Sequence, residues 1–137
     1  MLVLDTGVMF ALVDTRERQH ERCRSLVESV REPLVIPAPT LCEVDHFMHT
    51  RGRVGGTQAI LRDIRAGAYL VEDLEVDDLE RIVQILDRYA DLDVGFVDAA
   101  VLAIVERLNE PKLATLDRKH FGAMRPRHVG SLELLPA

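Results

Sequence analysis

Apolar residues in this chain fall into short continuous runs separated by stretches with helical spacing. Leu2–Leu4 is one such run, ended by Asp5. Leu34–Ile36, Tyr69–Val71, Leu113–Leu116 and Leu132–Leu135 repeat the pattern. Runs this short, bounded by polar or turn residues, predict strands buried on both faces. The stretches between them predict helices. Thr6–Val13 is rich in apolar residues. Glu17–Arg31 places Cys23, Leu26, Val27 and Val30 on one stripe before Pro33 stops it. Pro37 and Pro39 bracket a turn, and Thr40 is the expected cap of a helix over Leu41–Arg51. Gln58–Ala66 is closed by Gly67. Leu74–Tyr89 is amphipathic, with Leu79, Ile82, Val83 and Leu86 expected to face inward. Asp98–Leu108 is so apolar that it must be buried nearly all round. Strands alternating with helices predict one α/β domain over residues 1–137, with a mostly parallel central sheet between helical layers.

Bulk properties narrow the class. Hydrophobic residues make up 47% and charged residues 29%, the balance of a globular domain with a real core. No apolar run approaches the ~20 residues that cross a bilayer. The first residues lack the basic segment and long apolar stretch of a secretory signal, so a cytoplasmic location is expected. Cys23 and Cys42 form no CxxC pair and are expected to be reduced and buried. A net charge of −6 argues at first against a nucleic-acid partner. The acids are concentrated, however: Glu72–Asp93 carries −7, which leaves +1 for the rest of the chain. Divalent cations would offset part of the remaining acidity.

Ligands of open parallel sheets sit beyond the carboxyl ends of the strands. Asp5 and Asp117 each follow an apolar strand and therefore share one sheet edge. Taken alone, either is a turn former or helix cap, or a functional group. Glu43 lies in the first turn of its helix, on the face opposite Leu41, Val44 and Met48. It is a solvated residue or one turned toward the same edge. Asp98 begins the apolar helix, as a cap or as a carboxylate facing a cavity with the helix dipole behind it. Together the four carboxylates would repel one another unless cations neutralised them. An all-carboxylate set suits Mg²⁺ or Mn²⁺. Two such ions about 3.5–4 Å apart can clamp the attacking and leaving oxygens of a phosphodiester.

The segments LVLDTGVMFAL at Leu2–Leu12, PxxxEV at Pro39–Val44, VGFVDAAVLAIVERL at Val94–Leu108 and LATLDRKHF at Leu113–Phe121 resemble, in order, the four motifs of PIN-domain ribonucleases. Length and spacing resemble the toxins of VapBC-type toxin–antitoxin modules. The resemblance implies a PIN-like three-layer sandwich with a five-stranded parallel sheet, and Mg²⁺- or Mn²⁺-dependent cleavage of RNA. It implies Asp5, Glu43, Asp98 and Asp117 as the catalytic and metal-binding acids. Thr6 and Thr115 match hydroxyls in and around that site. It also implies a cognate antitoxin and a homodimer, with Met9, Phe10 and Leu12 as either core residues or an apolar patch for a partner.

Other signals are weaker. Arg118, Lys119 and His120, then Arg125, Arg127 and His128, are either phosphate contacts or a solvated loop, and Arg118 is named as a substrate contact. Arg51 and Arg53 invite the same two readings. Glu43-x-x-His46 is half of a carboxylate di-iron motif, present in one copy only. Asp73, after the third strand, is the acceptor that a receiver-type phosphotransfer domain would use. A non-enzymatic binding module is the remaining alternative.

Overall fold

A computed structural model describes all 137 residues. Five strands, β1 (Leu2–Leu4), β2 (Leu34–Pro37), β3 (Leu70–Glu72), β4 (Lys112–Ala114) and β5 (Glu133–Leu135), form one sheet in the order β3-β2-β1-β4-β5. Every pairing is parallel. The connections carry helices α1 (Thr6–Val13), α2 (His20–Ser29), α3 (Ala38–Thr50), α4 (Gly56–Arg65), α5 (Val76–Arg88), α6 (Phe96–Arg107) and α7 (Arg118–Ala123).

Side chains alternate across a strand, and that alternation builds the three layers. Val3, Val35 and Leu113 point to one face, where Ile82, Ile85 and Tyr89 of the α5 region, most of α6, and Phe121 and Met124 cover them. Leu2, Leu4, Ile36 and Ala114 point to the other, under α1, Cys23 of α2, Val44 and Met48 of α3, and Ile60 of α4. Helix α6 is buried without a break from Ala99 to Val105, as its composition requires.

Several sequence expectations shift. Pro37 is the last residue of β2, and α3 begins at Ala38 with no intervening turn. Pro39 fits the first turn because an N–H there would lack an intrahelical partner anyway. Thr40 is therefore inside α3, not its cap; it is buried and its hydroxyl donates to the Pro37 carbonyl at 2.7 Å. Helix α2 starts at His20, three residues later than the pattern suggests. Cys23 is buried but Cys42 is exposed, a correction to the expected pair of buried thiols. Met9 and Phe10 are 2% exposed and belong to the core, with Phe10 edge-on to Phe47 at 6.1 Å. They present no patch.

Helix α5 is rotated from its expected orientation. Ile82 and Ile85 face inward, whereas Leu79 and Val83 are about half exposed at 49% and 51%. Ion pairs select this rotation. Arg107 of α6 binds the buried Asp78 at 3.1 Å and Glu72 at 2.7 Å. Arg81 binds Glu106 through two parallel bonds of 2.8 Å. Charge-assisted pairs of this kind hold one helix face against another more strongly than neutral contacts do. The cost is an apolar stripe, Val76, Leu79 and Val83, left facing solvent.

Candidate metal centre

The strand order reverses direction between β1 and β4: the chain first builds outward through β2 and β3, then returns to add β4 and β5 on the other side. Loops leaving two adjacent strands toward opposite layers open a crevice at their carboxyl ends. Asp5 and Asp117 both lie there. The Asp5 N–H donates to the Ala114 carbonyl at 2.9 Å, which locks the end of β1 to the end of β4.

Asp5 is 5% exposed. Its Oδ2 accepts the Thr115 hydroxyl at 2.8 Å, and its Oδ1 is buried with no partner. Burial pushes the carboxyl up to about 7, against the lowering by Thr115 and the Thr6 N–H; the charges of Asp98 and Glu43 push it further up. Thr6 is also buried, and its hydroxyl has no partner. Thr115 is 1% exposed and serves two acids: besides donating to Asp5, its oxygen accepts the Asp117 N–H at 3.0 Å.

Asp98 is the third residue of α6, not its cap; Gly95 holds the cap position. Burial raises its carboxyl above the usual range, and Asp117 and Glu43 add to the rise, while His120 opposes it. Glu43 rises half-buried from α3, which packs on α6. Asp98 thus lies within electrostatic reach of the other three acids named from sequence, and Asp5 within reach of Glu43.

Asp117 differs from expectation in its support. Strand β4 ends at Ala114, and Asp117 caps the short helix α7, accepting the His120 N–H at 3.0 Å. This places the His120 ring over the acids. Its Nδ1–H donates to Asp117 Oδ2 at 2.7 Å and lies 3.6 Å from Asp98 Oδ2, while Nε2–H donates to the Leu92 carbonyl at 2.9 Å. Both ring nitrogens face acceptors, the environment of an imidazolium. The bond to Asp117 is the main reason its pKa is raised. The sequence marked His120 only as a basic neighbour. Its spacing of three from an acid at a helix start is the signal that foretells the pairing.

Other candidates lie elsewhere. The Arg118 guanidinium donates to the carbonyls of Leu134 and Pro136, so it is turned toward the end of β5. Arg53 is paired with Asp14 at 2.8 Å, and Arg51 covers the Phe10 ring at 4.6 Å. Arg127 and His128 line a separate cleft with Glu75, Arg81 and Arg107. His46 is exposed on α3. Asp73 follows edge strand β3, which β2 separates from β1, and its carbonyl accepts from Arg107.

The donors present fit a hard divalent cation. Clustered carboxylates at low exposure, one with an unpartnered oxygen, leave a charge deficit that a cation would neutralise. Carboxylate oxygens are the preferred donors of such ions.

Known proteins match this arrangement along nearly the full chain. Ribonuclease VapC26 of Mycobacterium tuberculosis is 29% identical over 135 residues, covering 98% of this chain and all of that protein. The crystal structure of Mycobacterium tuberculosis VapC20, a sarcin-ricin loop cleaving toxin, superposes with a TM-score of 0.78 at 20% identity, over 95% of this chain and 99% of that one. A toxin–antitoxin complex from Klebsiella pneumoniae gives a TM-score of 0.66 at 20% identity, over 90% and 92% of the two chains. The family model described as PIN domain matches residues 2–125, a span that holds all four acids and the crevice between β1 and β4, and the chain belongs to the PIN domain family.

Proposed function

We propose that this chain is an endoribonuclease toxin of a type II toxin–antitoxin module, hydrolysing RNA phosphodiester bonds at Asp5, Glu43, Asp98 and Asp117 with Mg²⁺ or Mn²⁺. The observation that carries this reading is the Asp5 carboxylate, buried at the sheet crevice with one oxygen unpartnered and two further acids acting on it. A purely structural acid in that position would have a cationic or hydrogen-bonding partner on both oxygens. The names of the similar proteins, a ribonuclease and a toxin, agree with it.

Asp5, Glu43, Asp98 and Asp117 would hold the cation. When bound, it supplies Lewis acidity toward water and toward the phosphodiester oxygens. The chain's own groups do the rest. Thr115 fixes the orientation of Asp5 and the start of the α7 loop through its two bonds. Thr6 lines the same buried corner. A carboxylate of the cluster accepts the proton of the attacking water.

Total cellular RNA incubated with purified, antitoxin-free protein will yield discrete fragments in Mg²⁺ or Mn²⁺ and none in EDTA. Asp98→Asn will yield none under any condition. Cleavage that persists in EDTA, or in Asp98→Asn with metal, would overturn the site.

The proposal includes one domain over residues 1–137, a cytoplasmic location, a cognate antitoxin and a homodimer. No helix is long and apolar enough to cross a membrane. The exposed Val76–Leu79–Val83 stripe on α5 supplies apolar area for pairing. Light scattering on the eluting protein will give twice the mass of one chain; the mass of a single chain at high concentration would refute the dimer.

A further inference from the structure

Two carboxylates, Asp98 and Asp117, and a histidine face each other at the mouth of the crevice, yet only the carboxylates belong to the motif acids. We propose that His120 is itself a ligand of the divalent cation, together with Asp98 and Asp117, and that its nitrogen gives this chain a preference for a first-row transition cation over Mg²⁺. This rests on reading the carboxylate cluster as a metal site.

Geometry carries the inference. One oxygen of Asp98, one of Asp117 and a ring nitrogen of His120 all lie within 4.8 Å of one another. Ligands about 2.1 Å from one octahedral ion stand about 3 Å apart when adjacent and about 4.2 Å apart when opposite. The observed 3.6 Å from His120 Nδ1 to Asp98 Oδ2 falls in that range, and the 2.7 Å to Asp117 Oδ2 needs to open by only a few tenths of an ångström. The buried, unpartnered Oδ1 of Asp5 is a further oxygen donor in the same crevice, close enough for the Asp98 charge to act on its carboxyl.

The far side of the ring is already arranged as in a metal-bound histidine. Such residues donate their second ring N–H to a carbonyl or carboxylate, which orients the ring and fixes which nitrogen faces the ion. Here Nε2–H donates to the Leu92 carbonyl at 2.9 Å, and Nδ1 faces the carboxylates. A cation arriving between them takes the place of the Nδ1 proton, which leaves to solvent. Mg²⁺ prefers an all-oxygen shell, whereas imidazole suits Fe²⁺, Ni²⁺, Cu²⁺ and Zn²⁺; Mn²⁺ shares the liking of Mg²⁺ for oxygen and serves as the paramagnetic probe of the same position.

The test loads the purified full-length chain with Mn²⁺ and reads nitrogen coupling to the bound ion by pulsed electron paramagnetic resonance. The wild type will show ¹⁴N modulation. His120→Asn, whose amide can still donate to Asp117, will bind Mn²⁺ without it, and its preference for Zn²⁺ over Mg²⁺ in competition titrations will fall at least about 10-fold. Mn²⁺ bound by the wild type without nitrogen coupling would overturn the role of His120 and leave the carboxylate site standing. So would coupling that survives in His120→Asn. A wild type that binds no Mn²⁺ at all would overturn both.

Discussion

Asp5→Asn will lose RNA cleavage and, in the absence of metal, will be more stable than the wild type at pH 8. The two effects have one cause. Asp5 is 5% exposed, and its carboxyl is pushed up to about 7, chiefly by burial. At pH 8 it is ionised in a place that disfavours the charge. A shift of this size corresponds to about 4 kcal/mol. The amide removes that charge but leaves its own N–H groups short of partners, which costs about 1–3 kcal/mol. A net gain of about 1–3 kcal/mol remains, measurable by urea denaturation at pH 8 in EDTA. The same change removes a donor of the proposed metal site. Losing an outer-shell partner of a metal ligand costs about 10–100-fold in affinity or activity, so losing the ligand itself will cost at least about 100-fold. A variant that still cleaves, or that is less stable than the wild type at pH 8 in EDTA, would argue that Asp5 is a structural acid.

Metal-free wild type will be more stable at pH 5 than at pH 8, and Mn²⁺ will remove most of that difference. The Asp5 pKa in the fold lies above its value of about 3.9 in the unfolded chain. Between the two, the folded state keeps the proton that the unfolded state has released. Stability from this group is therefore fully present below about pH 4 and is lost as pH rises through about 7, by about 4 kcal/mol in all. Asp98 is raised for the same reason and adds to the slope. His120 is also raised, so its contribution is complete below the ordinary histidine range and fades as pH climbs past its folded value. Below pH 4 the trend reverses. Asp14 and Glu32 are held low by hydrogen bonds from Arg53 and Lys112, and their contribution disappears on protonation. A cation bound only by the fold at 100 times its Kd adds about 2.7 kcal/mol. Thermal melts at pH 5 and pH 8, with EDTA and with Mn²⁺, will show it. Equal stability at both pH values in EDTA would contradict the burial of an ionisable Asp5.

What the sequence makes legible here follows from how much each signal depends on its neighbours. The inner strands β1, β2 and β4 are short apolar runs and α6 is apolar on every face, so their burial needs no knowledge of what packs on them. The edge strands β3 and β5 carry similar runs and are not buried, Leu70 and Val71 of β3 being exposed. The acids at the ends of β1 and β4 are legible for a similar reason: parallel strands deliver both to one edge. Helix α5 was not legible in the same way. Its apolar residues spread over two adjacent stripes, and the choice between them is made by Arg107 and Arg81 across the α5–α6 interface. The start of α3 was hidden because proline reads equally as a turn and as a first helical turn. Helix α7 spans six residues, too few to establish a period, and its anchor is a cap bond and a histidine reaching the Leu92 carbonyl. Arg118 follows Asp117 yet donates to the Leu134 and Pro136 carbonyls, because adjacent residues at a helix start diverge by about 100°. A residue next to a site residue in sequence is not thereby near the site.

The unequal lengths of α6 and α7 give the cluster two mechanical halves. Asp98 rides on a helix whose next seven residues are buried, and Asp5 is tied into the centre of the sheet. Amides there will open only with the whole fold. Asp117 and His120 ride on a helix of six residues whose buried side chains are Phe121 and, just beyond it, Met124. Elements with so little buried area open locally at much lower cost than global unfolding. Local opening of α7 would widen the crevice on one side while the other keeps its shape, the kind of access a polymer as bulky as the proposed RNA substrate needs without disturbing the core.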